Sequence, residues 1–374
     1  MTKAKVMHIV PTFEDCSITR IALHIIQHLG HEDYEWLVTS AGPNGMMEQI
    51  YQDCGVKTYQ LPGPSHLRRG VQLKKILDSN PVDLLHTHTP KTTVITWMAT
   101  VLSHRHIVHL LTKHLDGSNY RKFEWIYTLV GMISLYQTDY IVPVSKTMAE
   151  RLLRYPGINS DRLSAIQNGV DCDYFYQPQE RDACRAELNL SEEHIVFFFS
   201  GRLEPMKNLS SLIKCFATVH SLYPASRLVI AGTGSLEAEL KAQAQELGIA
   251  EDVIWCGWRT DVPRLLAASD IYVQPSLNEG LSLSIIEAMC AEKPIIATKV
   301  GGIYEVLERD VSGILIEPGD NEQLTQAITT LVSQPEKRKQ MGQVAKQNAV
   351  QNFGLRRMTA QYQSIYDDLL GRKS

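Results

Sequence analysis

The segment EGLSLSIIEAM places two carboxylates, Glu279 and Glu287, eight residues apart, directly after the apolar run IYVQPS and around the start of a helical pattern. A helix N-terminus presents N–H groups with no intrahelical partner and a partial positive charge, so it suits a phosphate. Gly280 permits close approach of the chain there. Glu279, at the mouth, can accept hydrogen bonds from sugar hydroxyls, and Glu287, two turns on, from those of a ribose. A second segment, SGRLEPMKNLSSLI, carries Arg202 and Lys207 after Gly201 in a loop that feeds another helix, an arrangement suited to a diphosphate. A third, AGTGSLEAEL, sets Gly232 and Gly234 at a strand-to-helix turn.

Such loops need strands to hold them. In the first half the apolar runs VMHIVP, YEWLVTS, VKTYQLP, VDLLHTHT, HIVHLLTKH, YIVPVS and LSAIQNGV predict seven strands. In the second half IVFFFSGRL, RLVIAGTG, DVIWCGW, IYVQPS, PIIATKVGG and GILIEP predict six. Helical patterns such as ITRIALHIIQHLG and LEAELKAQAQELG lie between them. Continuous rather than alternating apolar character in the strands argues for parallel sheets buried on both faces, hence two doubly wound α/β domains. The polar stretch 171–193 reads as the joint, and beyond residue 320 the pattern is predominantly helical.

The chain has 374 residues and a formal charge of −4, with 44% hydrophobic and 21% charged residues. That is ordinary globular composition, and it excludes a dedicated nucleic-acid binder with a positive field over the whole chain. The balance is uneven: residues 1–172 carry +2 and 11 of the 13 histidines, the remainder −6. No apolar run reaches the ~20 residues of a membrane-spanning helix. Seven dispersed cysteines, at 16, 54, 172, 184, 215, 256 and 290, predict reduced packing thiols, and with no secretory leader pattern in MTKAKVMHIV the expectation is a cytoplasmic protein.

In order and spacing, GRLEPMK (201–207), GTG (232–234), DVPRLLAASD (261–270) and EGLSLSIIE (279–287) resemble the retaining family 4 glycosyltransferases of the GT-B fold. VDLLHTHTPK (82–91), LLTKHLDG (110–117), IVPVSKTMAERL (141–152) and IQNGVD (166–171) are similar to the corresponding stations of the first domain, and HTHTPK resembles members that build bacterial surface polysaccharides or lipid-linked oligosaccharides. The resemblance implies two Rossmann-like domains facing a central cleft. Residues 1–172 would be the acceptor domain, completed by a C-terminal helix of about 355–374, and 173–354 the nucleotide-sugar domain. It further implies that Arg202 and Lys207 neutralise the donor diphosphate with help from the backbone N–H groups around Leu281, Ser282 and Leu283, Glu279 holds the transferred sugar, Glu287 the ribose and Arg259 lies beside the base. His114 would reach the sugar from the other domain. The implied reaction is retaining and metal-independent, from a UDP- or GDP-sugar to a glycan or polyprenyl-linked glycan acceptor, with no cofactor and no bound metal.

Cys16-Ser17 stands where the family commonly has Gly-Gly, which opens an alternative, a non-catalytic nucleotide-sugar-binding or scaffold subunit of a polysaccharide assembly complex. Cys16, Ser17, His86 and His88 are acceptor-side candidates, the two histidines at alternate positions of a strand end reading as one structural and one cleft-lining. The basic and aromatic stretches LRRGVQLKK and NYRKFEWIYTLVGMISLY could touch a membrane surface, giving a peripheral position at the cytoplasmic face of the inner membrane. Two rival signals are weak. Asp171-Cys172-Asp173 spells a metal-binding DxD but follows IQNG, and GTGSLE has Glu237 where a dinucleotide fingerprint needs its third glycine.

Overall fold

The computed structural model describes residues 3–104, 106–114 and 131–371. The chain divides into two compact units, Met1–Gly169 with Leu355–Ser374, and Val170–Gly354.

The first unit is built on a sheet of six strands: β1 (Ala4–Val10), β2 (Tyr34–Ser40), β3 (Lys57–Gln60), β4 (Leu84–Thr87), β5 (Val108–Lys113) and β6 (Tyr140–Pro143), in the order β3-β2-β1-β4-β5-β6. Every pairing is parallel. The expected seventh strand, LSAIQNGV, does not form. It runs beside β6 through a single bridge, Leu163 to Ile141, and two backbone hydrogen bonds, then leaves at Asn168-Gly169. One face of the sheet is apolar, with Met7, Ile9, Leu37 and Leu85 packed on Leu73, Leu77, Ile95 and Ala99. The other face is polar at its centre. His8 pairs in register with His86, and His86 with Leu110, so side chains two residues on, His88 and Thr112, share that face. The C-terminal helix Leu355–Leu369 brings Tyr362 and Tyr366, one turn apart, onto it.

The second unit repeats the plan with β7 (Ile195–Ser200), β8 (Ser226–Ala231), β9 (Val253–Gly257), β10 (Ile271–Gln274), β11 (Ile295–Thr298) and β12 (Gly313–Ile316), ordered β12-β11-β10-β7-β8-β9 and all parallel. Its core joins Phe197, Phe199, Ile230 and Val273 to Leu212, Phe216 and Val219 of the helix Leu209–Leu222. Helices Asn321–Ser333 and Pro335–Asn352 fill the expected helical stretch beyond residue 320.

Cys172 and Cys290 form a disulfide, correcting the expectation of reduced thiols throughout. Wide sequence spacing hid it: the fold brings the short helix Cys172–Phe175 against the end of the helix Leu283–Cys290, 118 residues later. Among the described residues no helix is long and apolar enough to cross a membrane.

Candidate active site

In each sheet the chain reverses its direction of travel between two central strands, and ligands of open α/β sheets bind beyond the C-terminal ends of that pair. In the second unit the pair is β7 and β10. The loop after β7 delivers Lys207 and the loop after β10 delivers Glu279, and the two side chains meet at 2.5 Å. They are mostly buried, at 15% and 10% side-chain exposure, so the pair needs further hydrogen bonds to offset the loss of water. Those come from Gln274 Nε2 and Ser276 Oγ, each donating to Glu279 Oε1 at 2.7 Å. All three donors converge on Oε1. Oε2 has no partner among the described residues and remains able to accept from a ligand hydroxyl.

Gln274 is fixed in turn. Its Oε1 accepts from Tyr272 at 3.0 Å and from Ser284 at 2.9 Å, while its Nε2 donates to Ser282 Oγ at 2.9 Å. Burial pushes the Tyr272 hydroxyl above its ordinary range, and the Glu287 carboxylate pushes it in the same direction. Glu287 is itself buried on the helix Leu283–Cys290, and Gly280 to Ser282 lead into that helix's first turn. Arg202 is exposed, with no side-chain partner among the described residues.

The glycines explain why these motifs travel together. A Cβ on Gly232 would lie 1.9 Å from the Gly201 carbonyl oxygen, and one on Gly234 2.5 Å from that of Leu203, so the GTG turn packs backbone to backbone on the GRL loop. Gly301 does the same to the Glu279 carbonyl, at 1.8 Å, and the Gly302 N–H donates to Gly280 O at 2.7 Å. Gln274, Ser276, Gly301 and Gly302 join the site from IYVQPS and TKVGG, segments whose apolar pattern signals only strands.

Arg259 is committed elsewhere. Its fork grips Asp261 through two 2.7 Å hydrogen bonds and reaches Glu187 at 3.0 Å, and these carboxylates push its guanidinium above the ordinary range. Any base that met Arg259 would meet an already paired cation. The other aspartate of DVPRLLAASD, Asp270, binds Arg181 at 2.6 Å and the backbone N–H of Val196 at 2.8 Å. That motif therefore ties the helix Arg181–Glu187 to the sheet.

In the first unit the central pair is β1 and β4. The loop after β1 ends at Cys16, which caps the helix Ser17–Leu29. Thr19 accepts from the Cys16 N–H at 3.0 Å, and Asp15 holds Arg20 through two 2.7 Å contacts. The close backbone approach is made from the neighbouring loop. Cβ atoms on Gly42 and Gly45 would each lie 2.2 Å from the carbonyl oxygens of Pro11 and Phe13. The glycines absent at Cys16-Ser17 are thus not needed to let these two loops pack.

His86 and His88 are interior groups, at 0% and 1% exposure, and neither presents surface directly to an acceptor. His88 Nε2 contacts His8 Nδ1 at 3.0 Å, and His88 Nδ1 contacts His114 Nε2 at 3.3 Å. Burial lowers His8 and His114 to about 3, and His86 and His88 well below the usual histidine range, keeping all four neutral at neutral pH. Nitrogens of His8, His86 and His88 lie within 4.8 Å of one another, so the trio could ligate a metal ion. Every one of those nitrogens already has a hydrogen-bond partner. The stretch NYRKFEWIYTLVGMISLY falls largely outside the described residues.

The family description Glycosyl transferases group 1 matches residues 180–348, and Glycosyltransferase Family 4 matches residues 18–174. The chain is a group 1 glycosyltransferase with the GT-B fold. This glycosyltransferase is 28% identical over 360 residues to EpsD of Bacillus subtilis (strain 168), covering 92% of each chain. It is 24% identical to the UDP-Gal:alpha-D-GlcNAc-diphosphoundecaprenol alpha-1,3-galactosyltransferase of Escherichia coli, over 100% of this chain and 99% of that one. Among solved structures it resembles Anabaena Alr3699/HepE in complex with UDP and glucose, with a TM-score of 0.85 at 21% identity, covering 98% and 100% of the two chains.

Proposed function

We propose that this glycosyltransferase transfers a sugar from a UDP-sugar to a glycan or polyprenyl-diphosphate-linked glycan, with retention at the transferred carbon and without a metal. The observation that carries the reading is the Lys207–Glu279 pair, with its Gln274 and Ser276 supports, at the foot of the helix Leu283–Cys290. In the reaction the bond from the sugar's anomeric carbon to the β-phosphate oxygen breaks, and the acceptor oxygen bonds that carbon. The acceptor proton passes to the departing phosphate. The largest task is stabilising charge on that phosphate, which a fixed cation and a helix N-terminus do through preorganised electrostatics. Lys207 supplies the cation with its remaining donors, Arg202 closes on the outer phosphate, and Glu279 Oε2 orients the sugar by accepting from a hydroxyl. Glu287 is assigned to the ribose. The UDP preference and the lipid-linked acceptor are supported by likeness to the Anabaena and Escherichia coli proteins.

The test is release of free sugar from a panel of UDP-, GDP- and ADP-sugars in excess EDTA. Slow hydrolysis of a UDP-sugar, lost in Lys207→Ala, is expected. Activity that vanishes in EDTA and returns with manganese would overturn the metal-free reading, and turnover confined to GDP- or ADP-sugars would overturn the UDP assignment.

A further inference from the structure

The polar face of the first sheet holds more than a neutral histidine pair. His114 Nε2 contacts His88 Nδ1 at 3.3 Å, and His88 Nε2 contacts His8 Nδ1 at 3.0 Å. His8 Nε2 then meets the Tyr366 hydroxyl at 3.3 Å, which also lies 2.7 Å from His86 Nδ1. His86 Nε2 meets Thr112 Oγ1 at 2.7 Å, and Thr112 Oγ1 meets the Tyr362 hydroxyl at 3.0 Å. Four elements contribute: β1, the end of β4, β5 with the residue after it, and the C-terminal helix. All seven side chains except His114 are fully buried.

We propose that His88, His8, Tyr366, His86 and Thr112 are positioning residues for His114, forming one hydrogen-bonded chain that fixes its proton on Nδ1 and makes it a hydrogen-bond donor. A neutral imidazole with both nitrogens engaged donates from one and accepts at the other, so direction chosen at one link passes through His8 and His88 unchanged. A hydroxyl has one proton and can accept twice, so direction can change only at Tyr366 or Thr112, the two hydroxyls with a partner on each side. If Tyr362 donates to Thr112, Thr112 to His86, His86 to Tyr366, and Tyr366 to His8, then His8 donates to His88 and His88 to His114 Nε2. Every buried proton is then used. The one left over sits on His114 Nδ1, at the only partly exposed end of the chain. Run the other way, the surplus proton lands on the Tyr362 hydroxyl, which is 1% exposed and has no other partner among the described residues. A reversal at Tyr366 or at Thr112 strands that hydroxyl's own proton instead. An unmet buried donor costs about 1–3 kcal/mol, which selects the first direction.

The inference rests on reading His114 as a group that meets the transferred sugar, and the experiment separates the two. Histidine-selective 15N labelling of the full chain, with His114 assigned through His114→Gln, reads its tautomer at neutral pH by long-range proton–nitrogen correlation. The Nδ1–H form is expected in the wild type, and a mixture in Tyr366→Phe, where the link between His8 and His86 is cut. Thr112→Val, which frees His86 to turn, gives a second break should Tyr366→Phe fail to fold, and Tyr362→Phe leaves the direction unchanged. In Tyr366→Phe, kcat falls roughly tenfold, the scale on which losing a partner that orients an imidazole is felt, with donor KM unmoved. An Nε2–H form in the wild type, or a tautomer indifferent to both Tyr366→Phe and Thr112→Val, overturns the chain. Full activity in His114→Ala overturns the sugar-contact reading and leaves the tautomer result standing.

Discussion

The two units carry the same strand order, and the places where each sheet reverses are furnished in opposite ways. In the second unit the loops after the central strands bring a cation and a carboxylate together, Lys207 against Glu279. In the first, the central strands β1 and β4 carry His8 and His86 side by side in register, held neutral by burial. One topology thus carries two electrostatic environments. The proposed diphosphate site would draw on fixed charge, whereas the histidine face offers dipoles whose direction is set by hydrogen bonding. Arg259 and Asp270 show that charge in the second unit also serves structure, since both lie in networks that fasten the helix Arg181–Glu187.

The sharpest way to break the comparison is to discharge the second unit. Lys207→Ala should lower turnover roughly 10²–10³-fold, the scale of losing one preorganised donor to a developing oxyanion, measured as sugar release. Arg259→Gln should change turnover far less, and its main effect should appear as a lower melting temperature. An equal loss of activity in the two variants would mean that the paired network, not Lys207, carries the donor.

Acid sharpens the contrast from the other side. His8 and His114 are depressed to about 3 and His109 to about 4, while the unfolded chain takes up protons near the ordinary histidine value of 6.5. Between those values the unfolded state binds more protons, so their contribution is full above about 6.5 and lost as pH falls toward the folded values. Hydrogen exchange read peptide by peptide should therefore show β1, β4 and β5 losing protection on acidification before β7, β8 and β10. Simultaneous loss would place the acid-sensitive groups elsewhere.

Packing of the site loops gives a smaller effect. Gly301 has φ +56° and no room for a Cβ against the Glu279 carbonyl, so Gly301→Ala should cost roughly 2–4 kcal/mol in denaturant melts. Gly42→Ala should cost a similar amount in the first unit, where Pro11 is the neighbour. The disulfide is the mildest lever. Cys290→Ser should lose about 2–3 kcal/mol under oxidising conditions and little under reducing ones.

Much of this was legible in the sequence, for identifiable reasons. Apolar runs announced all twelve strands, because strands of a parallel sheet covered on both faces are mostly apolar; the polar side chains of β3 and of the His8–His86 face are exceptions within that pattern. LSAIQNGV misled because Leu163, Ala165 and Ile166 give it a strand-like look, while the segment lies along β6 without pairing fully. Lys207 and Glu279 stood out through motif spacing, yet Gln274 and Ser276 did not, since their importance is a matter of which carboxylate oxygen they reach. The histidine chain was visible only as an HxH and a TKH. Its continuity depends on β1, β5 and a helix 250 or more residues away, and no local pattern encodes that. The Cys172–Cys290 pair was hidden in the same way.

Hydrogen exchange with and without free UDP tests the central assignment most directly. New protection is expected in 201–207, 274–287 and 299–302, the loops that meet around the Lys207–Glu279 pair, with β1 and β4 unchanged. Protection confined to the first unit, or none in those three loops at saturating UDP, would contradict it.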